Sequence, residues 1–254
     1  MAINLDELRK KAEQFDKPQG SGGNADFLKN FLQTPDGKTP IRILPGKTEE
    51  DNFYAETKIH RVDGEDGNNR NIHCLKVKGE KCPLCDAYYK LWQIYNEGGK
   101  TDDSIADLAR KIKPRERYYM NVLDRANEEV KIWSVGQILF KKVVATILDE
   151  DFGDITDPDS GHDFNVVKRM EGGWPKYDES GPRPKASRLG TKAQIAQWMD
   201  ELHDIHGLVK FEEYDEVRNV AIGLHPLLND LAGSQQKSKA AGSSDEDFEK
   251  SLET

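Results

Sequence analysis

All three cysteines of the chain lie in the stretch IHCLKVKGEKCPLC, residues 72–85, and this stretch limits how the surrounding chain can fold. Cys82 and Cys85 form a Cys-x-x-Cys pair, a tight turn that aims both sulfurs at one point. Cys74 lies eight residues earlier. Structural zinc sites close with four Cys or His ligands. The pattern therefore predicts one structural zinc ion whose fourth ligand lies outside the cysteines.

Two histidines are candidates for that fourth ligand, His60 and His73. His73 is next to Cys74, and neighbours on a strand point to opposite faces, which counts against it. His60 lies on the preceding predicted strand, one hairpin away, and we favour it. His73 stays open as the alternative.

Other interpretations of the cysteines fit the sequence less well. A thioredoxin-like motif should follow a strand in a βαβ pattern, which is absent. A deaminase-type catalytic zinc needs His-x-Glu before Pro-Cys-x-x-Cys, and neither 60–62 nor 73–75 supplies the glutamate. His-Glu-x-x-His and the glycine-rich phosphate-binding motifs are also absent. We therefore expect a protein that is not an enzyme.

The charge of the chain is unevenly distributed. The formal net charge is −9, but residues 245–254 alone carry five acids against one lysine. By contrast, RKIKPRER at 110–117 carries five bases against one acid, and 168–192 carries seven bases against three acids. Because a phosphate-binding surface needs local positive charge, the acidic total does not exclude nucleic acid. Three clustered cysteines without a disulfide framework favour a reducing, cytoplasmic setting.

Alternation and helical spacing divide the chain into elements. Strands are predicted at 39–45, 53–62, 117–124, 128–135 and 163–170, and helices at 84–97, 102–112, 136–148 and 192–206. This order is not a βαβ repeat, so it favours a mainly β fold, a barrel with inserted helices. Glycine- and serine-rich stretches at 18–24 and 233–244 predict linkers. We expect an N-terminal segment at 1–24, a core at 25–230 with a zinc subdomain near 58–112, and a linker with an acidic tail at 231–254.

Aromatic and basic residues alternate in three parts of the predicted core: RERYYMN at 115–121, VKIWSV at 130–135 and the loop 172–190. Single-stranded nucleic acid is bound by cations that follow the phosphates and by rings that stack on bases. Core packing is the competing explanation for rings on strands. It is weaker for Trp174 and Tyr177, because a loop rich in glycine and proline offers little core.

In combination, these motifs resemble the replication single-stranded DNA-binding proteins of T-even-type tailed phages. The resemblance covers roughly 40–180 and rests on four features in matching order. They are IRILPGKTEEDNFYAETKIH (41–60), the cysteines, RYYMNVL with VKIWSVG, and GGWPKYDES (172–180). It implies an OB-fold, a zinc subdomain with ligands His60, Cys74, Cys82 and Cys85, and sequence-independent binding of single-stranded DNA in replication, recombination and repair. It also implies self-association through the N-terminal segment and recruitment of replication and recombination proteins by the acidic tail. A phage-encoded chain would lie in the host cytoplasm.

The residues expected to contact DNA combine this resemblance with the basic and aromatic pattern. They are Arg42, Arg115, Arg117, Tyr118, Lys131, Trp133, Trp174, Lys176, Tyr177, Lys185 and Arg188. The competing hypothesis is a zinc-stabilised module that binds protein or RNA and has no role on single-stranded DNA. In that case the basic loops would be ordinary solvated surface.

Overall fold

A computed structural model describes residues 27–48, 50–64 and 69–233. Its strands are, in chain order, β1 Gly37–Ile43, β2 Tyr54–Asp63, β3 Asn69–His73, β4 Arg115–Asp124, β5 Glu129–Val135, β6 Phe164–Glu171, β7 Trp174–Lys176 and β8 Gly181–Pro182. Its α-helices are α1 Pro83–Glu97, α2 Asp103–Ile112, α3 Gln137–Ile147, α4 Lys192–Asp200 and α5 Tyr214–Gly223. Three 3-10 helices span Leu75–Lys78, His206–Leu208 and Pro226–Gly233. A β-sheet fold with inserted helices is confirmed, while the OB-fold barrel stays a prediction.

The described residues divide into two compact units. The first unit comprises 27–45, 121–134 and 151–203, and the second comprises the described parts of 46–120, 135–150 and 204–233. The predicted N-terminal segment and most of the predicted acidic tail lie outside the described residues. The division of the chain into segment, core and tail therefore stays a prediction.

The first unit is built around β1. This strand runs antiparallel to the end of β4, with Ile43 opposite Val122, and to β6, with Ile41 opposite Phe164. Helix α4 begins in a capping box, in which Thr191 accepts a hydrogen bond from the Gln194 amide and the Gln194 side chain accepts one from the Thr191 amide. A core cluster in this unit consists of Leu44, Leu123, Val130, Leu189 and Trp198.

The second unit pairs β2 with β3 and with the beginning of β4, both antiparallel. Helix α1 starts with Pro83 at its first turn, where the missing amide costs nothing, and ends at Gly98. Helix α2 is capped by the Asp102 side chain, which accepts a hydrogen bond from the Ser104 amide at 3.1 Å. The buried faces of α1, α2 and α5 meet the cysteine region in one hydrophobic core.

The predicted elements agree with the structure except at one helix and at segments that the pattern missed. The helix predicted at 192–206 ends at Asp200. There the Asn121 side chain accepts a hydrogen bond from the His203 amide and donates one to its carbonyl, both at 3.0 Å, which replaces helical pairing. Strand β3, with the polar sequence NRNIH, and helix α5 were not predicted.

Candidate functional site

The four predicted metal ligands meet at one buried point in the second unit. His60 comes from β2, Cys74 follows β3, and Cys82 and Cys85 flank the start of α1. Their ligand atoms all lie within 4.8 Å of one another. The Cys74 and Cys85 sulfurs are 3.5 Å apart, and His60 Nε2 lies 3.4 Å from the Cys82 sulfur and 3.6 Å from that of Cys85. On a tetrahedral zinc ion, sulfurs lie about 3.8 Å apart and sulfur and nitrogen about 3.6 Å apart.

Local backbone structure brings these residues together. The Cys74 amide donates to the Lys58 carbonyl at 2.8 Å, which continues the ladder between β2 and β3. Gly79, with a left-handed φ of 81°, then ends the 3-10 helix Leu75–Lys78 and turns the chain back toward Cys82. Pro83 fixes the first turn of α1, so that the Cys-x-x-Cys pair spans the helix start.

The orientation of His60 distinguishes it from His73. His60 is fully buried and its Nδ1 is 2.7 Å from the Ile112 carbonyl, which leaves Nε2 directed at the cysteines. A second hydrogen bond of this kind is the usual way in which proteins orient a ligand imidazole. His73 instead points its Nδ1 at the Thr57 hydroxyl, 2.9 Å away, and lies outside the cluster.

The donor atoms of the cluster, three cysteine sulfurs and one imidazole nitrogen, suit a metal ligand set. Burial lowers the pKa of His60, but hydrogen bonds with Cys74 and Cys82 outweigh this effect and raise it to about 10. Hydrogen bonds from Cys74 and Cys85 lower the pKa of the Cys82 thiol. Thiolate and imidazole are the ligands that zinc prefers, and four of them fill a tetrahedron without leaving an open position. The residues present therefore fit a closed, structural zinc site.

Aromatic rings form a second feature of the second unit. The Tyr118 ring on β4 is stacked on Phe140 of α3, with centroids 3.7 Å apart and planes inclined by 6°. Tyr54 of β2 packs against the same Phe140 at 4.7 Å. The Tyr118 hydroxyl donates to Glu116 at 3.1 Å. Burial, together with the Glu116 carboxylate, raises the pKa of Tyr118 to about 12. We define Tyr54, Tyr118 and Phe140 as the aromatic cluster.

The predicted cations Arg115 and Arg117 lie on the same strand as Tyr118. Arg115 is exposed, and Arg117 is half-buried. Sequence reasoning missed Tyr54 and Phe140. Tyr54 had a detectable signal, because alternation on β2 puts it on the same face as Glu56, the residue opposite Tyr118. Phe140 had none, since the packing of α3 against this face is a tertiary contact.

A projecting hairpin carries Trp174 in the first unit. Arg169 lies opposite Lys176, and Glu171 opposite Trp174, on β6 and β7. The two residues between the strands, Gly172 and Gly173, have φ values of 59° and 81°, as a tight hairpin turn of the primed type requires. The Trp174 side chain is 74% exposed, and Lys176 is exposed as well. Tyr177, the next residue, is half-buried.

The remaining predicted cations of the first unit differ in their surroundings. Lys185 and Arg188 are exposed on the segment 183–189, which we call the basic loop, and Arg188 pairs with Asp159 at 3.0 Å. Lys131 is half-buried, pairs with Glu129 at 2.7 Å and donates to the Lys29 carbonyl. Lys131 is therefore committed to protein contacts in this structure.

Two residues predicted to contact DNA are core residues, which corrects the prediction. Arg42 is fully buried and forms an ion pair with Asp163 at 3.3 Å. Burial lowers the pKa of Arg42 and the Asp163 carboxylate opposes that shift. Trp133 is 2% exposed and packs against Phe164, with ring centroids 6.0 Å apart. Strand alternation predicts one buried and one exposed face. Both faces of β1 and β5 are covered, so alternation could not show that Arg42 and Trp133 are buried.

Within the described ranges, no helix is long and apolar enough to cross a lipid bilayer.

Residues 35–224 match the model of the family described as gp32 DNA binding protein like. The matched range includes the Cys/His cluster, the aromatic cluster, the Trp174 hairpin and the basic loop. A search of the curated proteins finds no match.

Proposed function

The chain belongs to the gp32-like DNA-binding protein family, and on that premise we propose that it binds single-stranded DNA without sequence preference. We propose further that it acts by binding alone, during phage DNA replication, recombination and repair. An OB-fold would be the scaffold for this activity.

One observation carries the proposal: a tryptophan is exposed on a hairpin rich in cations. Burying a large aromatic ring stabilises a protein, so the Trp174 ring, which is 74% exposed, contributes little to the stability of the fold. Lys176 follows two residues after Trp174, and Arg169 faces Lys176 across the ladder. Among the described residues, Lys176 has no ion-pair partner, so its ammonium group can approach a phosphate. A base stacked on Trp174 would gain about 1–3 kcal/mol regardless of its identity.

The aromatic cluster supports the same function in the second unit. Phe140 covers one face of Tyr118 and fixes the plane of its ring. Tyr118 is only half-buried, so part of the ring reaches the surface of β4. Alternation places Arg115 and Arg117 on the other face of this strand. A fixed ring loses little conformational entropy when a base stacks on it.

We assign the Cys/His cluster a structural role and propose that it holds one zinc ion. His60, Cys74, Cys82 and Cys85 would be the ligands. When bound, zinc supplies a cross-link between β2, the turn after β3 and the start of α1. These residues lie in the core of the second unit, and the ladder of β2 with β4 that carries Tyr118 begins next to His60.

We also propose contacts with other proteins at the two ends of the chain. Residues 245–254 have a net charge of −4 and would recruit replication and recombination proteins. The N-terminal segment would support self-association along single-stranded DNA. Both assignments rest on charge and on the resemblance to the phage proteins, as does a location in the host cytoplasm.

Tryptophan fluorescence during titration with oligo-dT tests the proposed function. We expect quenching that saturates, and we expect most of it to disappear in a Trp174→Phe variant. A signal unaffected by oligo-dT would favour a zinc-stabilised module that binds protein or RNA.

A further inference from the structure

The buried Arg42 connects β1 to two loops of the first unit. Its Nη1 donates to Asp163 at 3.3 Å and to the Ser187 hydroxyl at 3.4 Å. Its Nη2 donates to the carbonyls of Asp157 and Ser187. Ser187 belongs to the basic loop, between Lys185 and Arg188. A side chain with no exposed surface thus contacts the segment that carries three exposed cations, Arg183, Lys185 and Arg188.

Asp163 extends this contact to two more arginines. Its Oδ1 accepts hydrogen bonds from Arg125 Nε and Nη2 at 3.0 and 2.8 Å, and its Oδ2 lies 3.5 Å from Arg183 Nη1. Arg125 also donates to the Leu189 carbonyl at 2.9 Å. The basic loop is therefore held at its first residue, Arg183, and at its last, Leu189, by groups that share one buried carboxylate.

Backbone hydrogen bonds fix the same loop. The amides of Arg183, Ser187 and Leu189 donate to the carbonyls of Asp163, Gly161 and Pro158 at 2.7, 3.0 and 2.7 Å. A side chain at Gly161 would collide with the Ile155 and Asp157 carbonyls, at 2.5 and 2.6 Å from its Cβ, so the supporting loop is tightly packed. Pro182 and Pro184 further restrict the chain.

We propose that Arg42 is a positioning residue that holds the basic loop in its DNA-binding conformation. Lys185 would then face a phosphate, and Arg188 would exchange Asp159 for a phosphate, without a step that orders the loop. This inference rests on the proposed function, since it concerns the same binding activity. A loop that is ordered before binding loses less conformational entropy when the complex forms. Only an arginine can serve here, because its planar fork reaches Asp163, Asp157 and Ser187 together, whereas a lysine has one ammonium group.

A double-mutant cycle tests the positioning role. In the full-length, zinc-loaded chain, Arg42→Lys should weaken oligo-dT binding, because the loop must then be ordered on binding. The slope of log affinity against log salt should become less steep by at most about 1.4, the contribution of the Lys185 and Arg188 contacts. In a Lys185→Gln, Arg188→Gln background, Arg42→Lys should change neither the affinity for oligo-dT nor its salt dependence any further. If Arg42→Lys reduces oligo-dT affinity equally with and without Lys185 and Arg188, or reduces it in neither background, the proposal is overturned. Thermal unfolding of each variant verifies that it is folded at the assay temperature.

Hydrogen exchange of the unaltered chain tests the proposal without a variant that has to fold. The Ser187 and Leu189 amides should be protected in the free protein and stay so when oligo-dT is added. Fast exchange in the free protein, followed by protection with DNA, would show a loop that is ordered by binding and would refute the proposal. If the unaltered chain does not bind oligo-dT, the proposed function fails, and exchange in the free protein still decides whether the loop is fixed.

Discussion

The rings of Tyr118 and Phe140 lie parallel, 3.7 Å apart, although the two residues come from a strand and from a helix that follows the next strand. One face of Tyr118 is therefore occupied by Phe140, and in the proposed complex a base would stack on the part of the ring that remains exposed. Phe140 acts on the ring through contact and sets its orientation.

The first prediction concerns this pair. Tyr118→Leu should weaken oligo-dT binding by about 1–3 kcal/mol, because a stacking surface is lost. Phe140→Leu should weaken it less, since the tyrosine remains but its ring is free to turn. Phe211→Leu is the matched control, a half-buried ring of the same unit outside the aromatic cluster, and should leave affinity unchanged. Equal affinities for all three variants would exclude Tyr118 from the interface.

The second prediction follows from the raised pKa of Tyr118. Its folded-state pKa of about 12 lies above the ordinary value of 10.0, because burial and the nearby Glu116 carboxylate disfavour the phenolate. The associated stability is fully present below pH 10 and is lost as pH rises through about 12. Glu116→Gln removes the carboxylate charge and should lower the pKa of Tyr118. Titration of the tyrosines by ultraviolet absorbance measures this shift, and an unchanged Tyr118 titration in the variant would contradict the assigned cause.

The third prediction is for the exposed tryptophan. Trp174→Ala should weaken binding to all single-stranded sequences alike by about 1–3 kcal/mol. The free energy of unfolding should change by no more than about 0.5 kcal/mol, since Trp174 is a surface residue. Leu148→Ala is the control, because Leu148 is similarly exposed, at 76%. A large loss of stability in Trp174→Ala would contradict its role as a surface residue, and sequence-dependent weakening would contradict stacking on any base.

The fourth prediction separates the two histidines of the metal region. His60→Ala should lose bound zinc and unfold at lower temperature, because the second unit loses a cross-link in its core. His73→Ala should keep about one zinc ion per chain, since its nitrogen is directed at Thr57. Zinc content by atomic absorption and thermal unfolding by circular dichroism measure both effects. Loss of zinc in His73→Ala alone would reverse the assignment.

Local patterns in the sequence predicted much of the fold. Strands with alternating apolar residues, such as 53–62, and helices with apolar stripes, such as 84–97, were placed within about two residues of the observed ends. His60 was favoured as the fourth zinc ligand because it lies one hairpin before Cys74. Neighbouring residues on a strand point to opposite faces, which counted against His73. In these segments the local pattern of apolar residues is enough to predict the secondary structure, and the tertiary contacts do not override it.

Long-range contacts decided what the sequence could not predict. Arg42 was expected to contact DNA from its position in the resemblance to the phage proteins, and nothing near it in the sequence shows that it pairs with Asp163, 121 residues later. Trp133 looked like a stacking ring because strand alternation cannot show that both faces of β5 are buried. Strand β3 is short and polar, so pairing with β2 and not its own composition makes it a strand.

The most direct test of single-stranded DNA binding is titration of the zinc-loaded chain with oligo-dT and with duplex DNA of equal length at several salt concentrations. Each neutralised phosphate contributes about −0.7 to the log–log slope. Exposed or half-exposed cations at 115, 117, 176, 185 and 188 would together give a slope of about −3.5. We expect a slope of this size and tighter binding to oligo-dT than to duplex. A flat slope, or a preference for duplex, would contradict it.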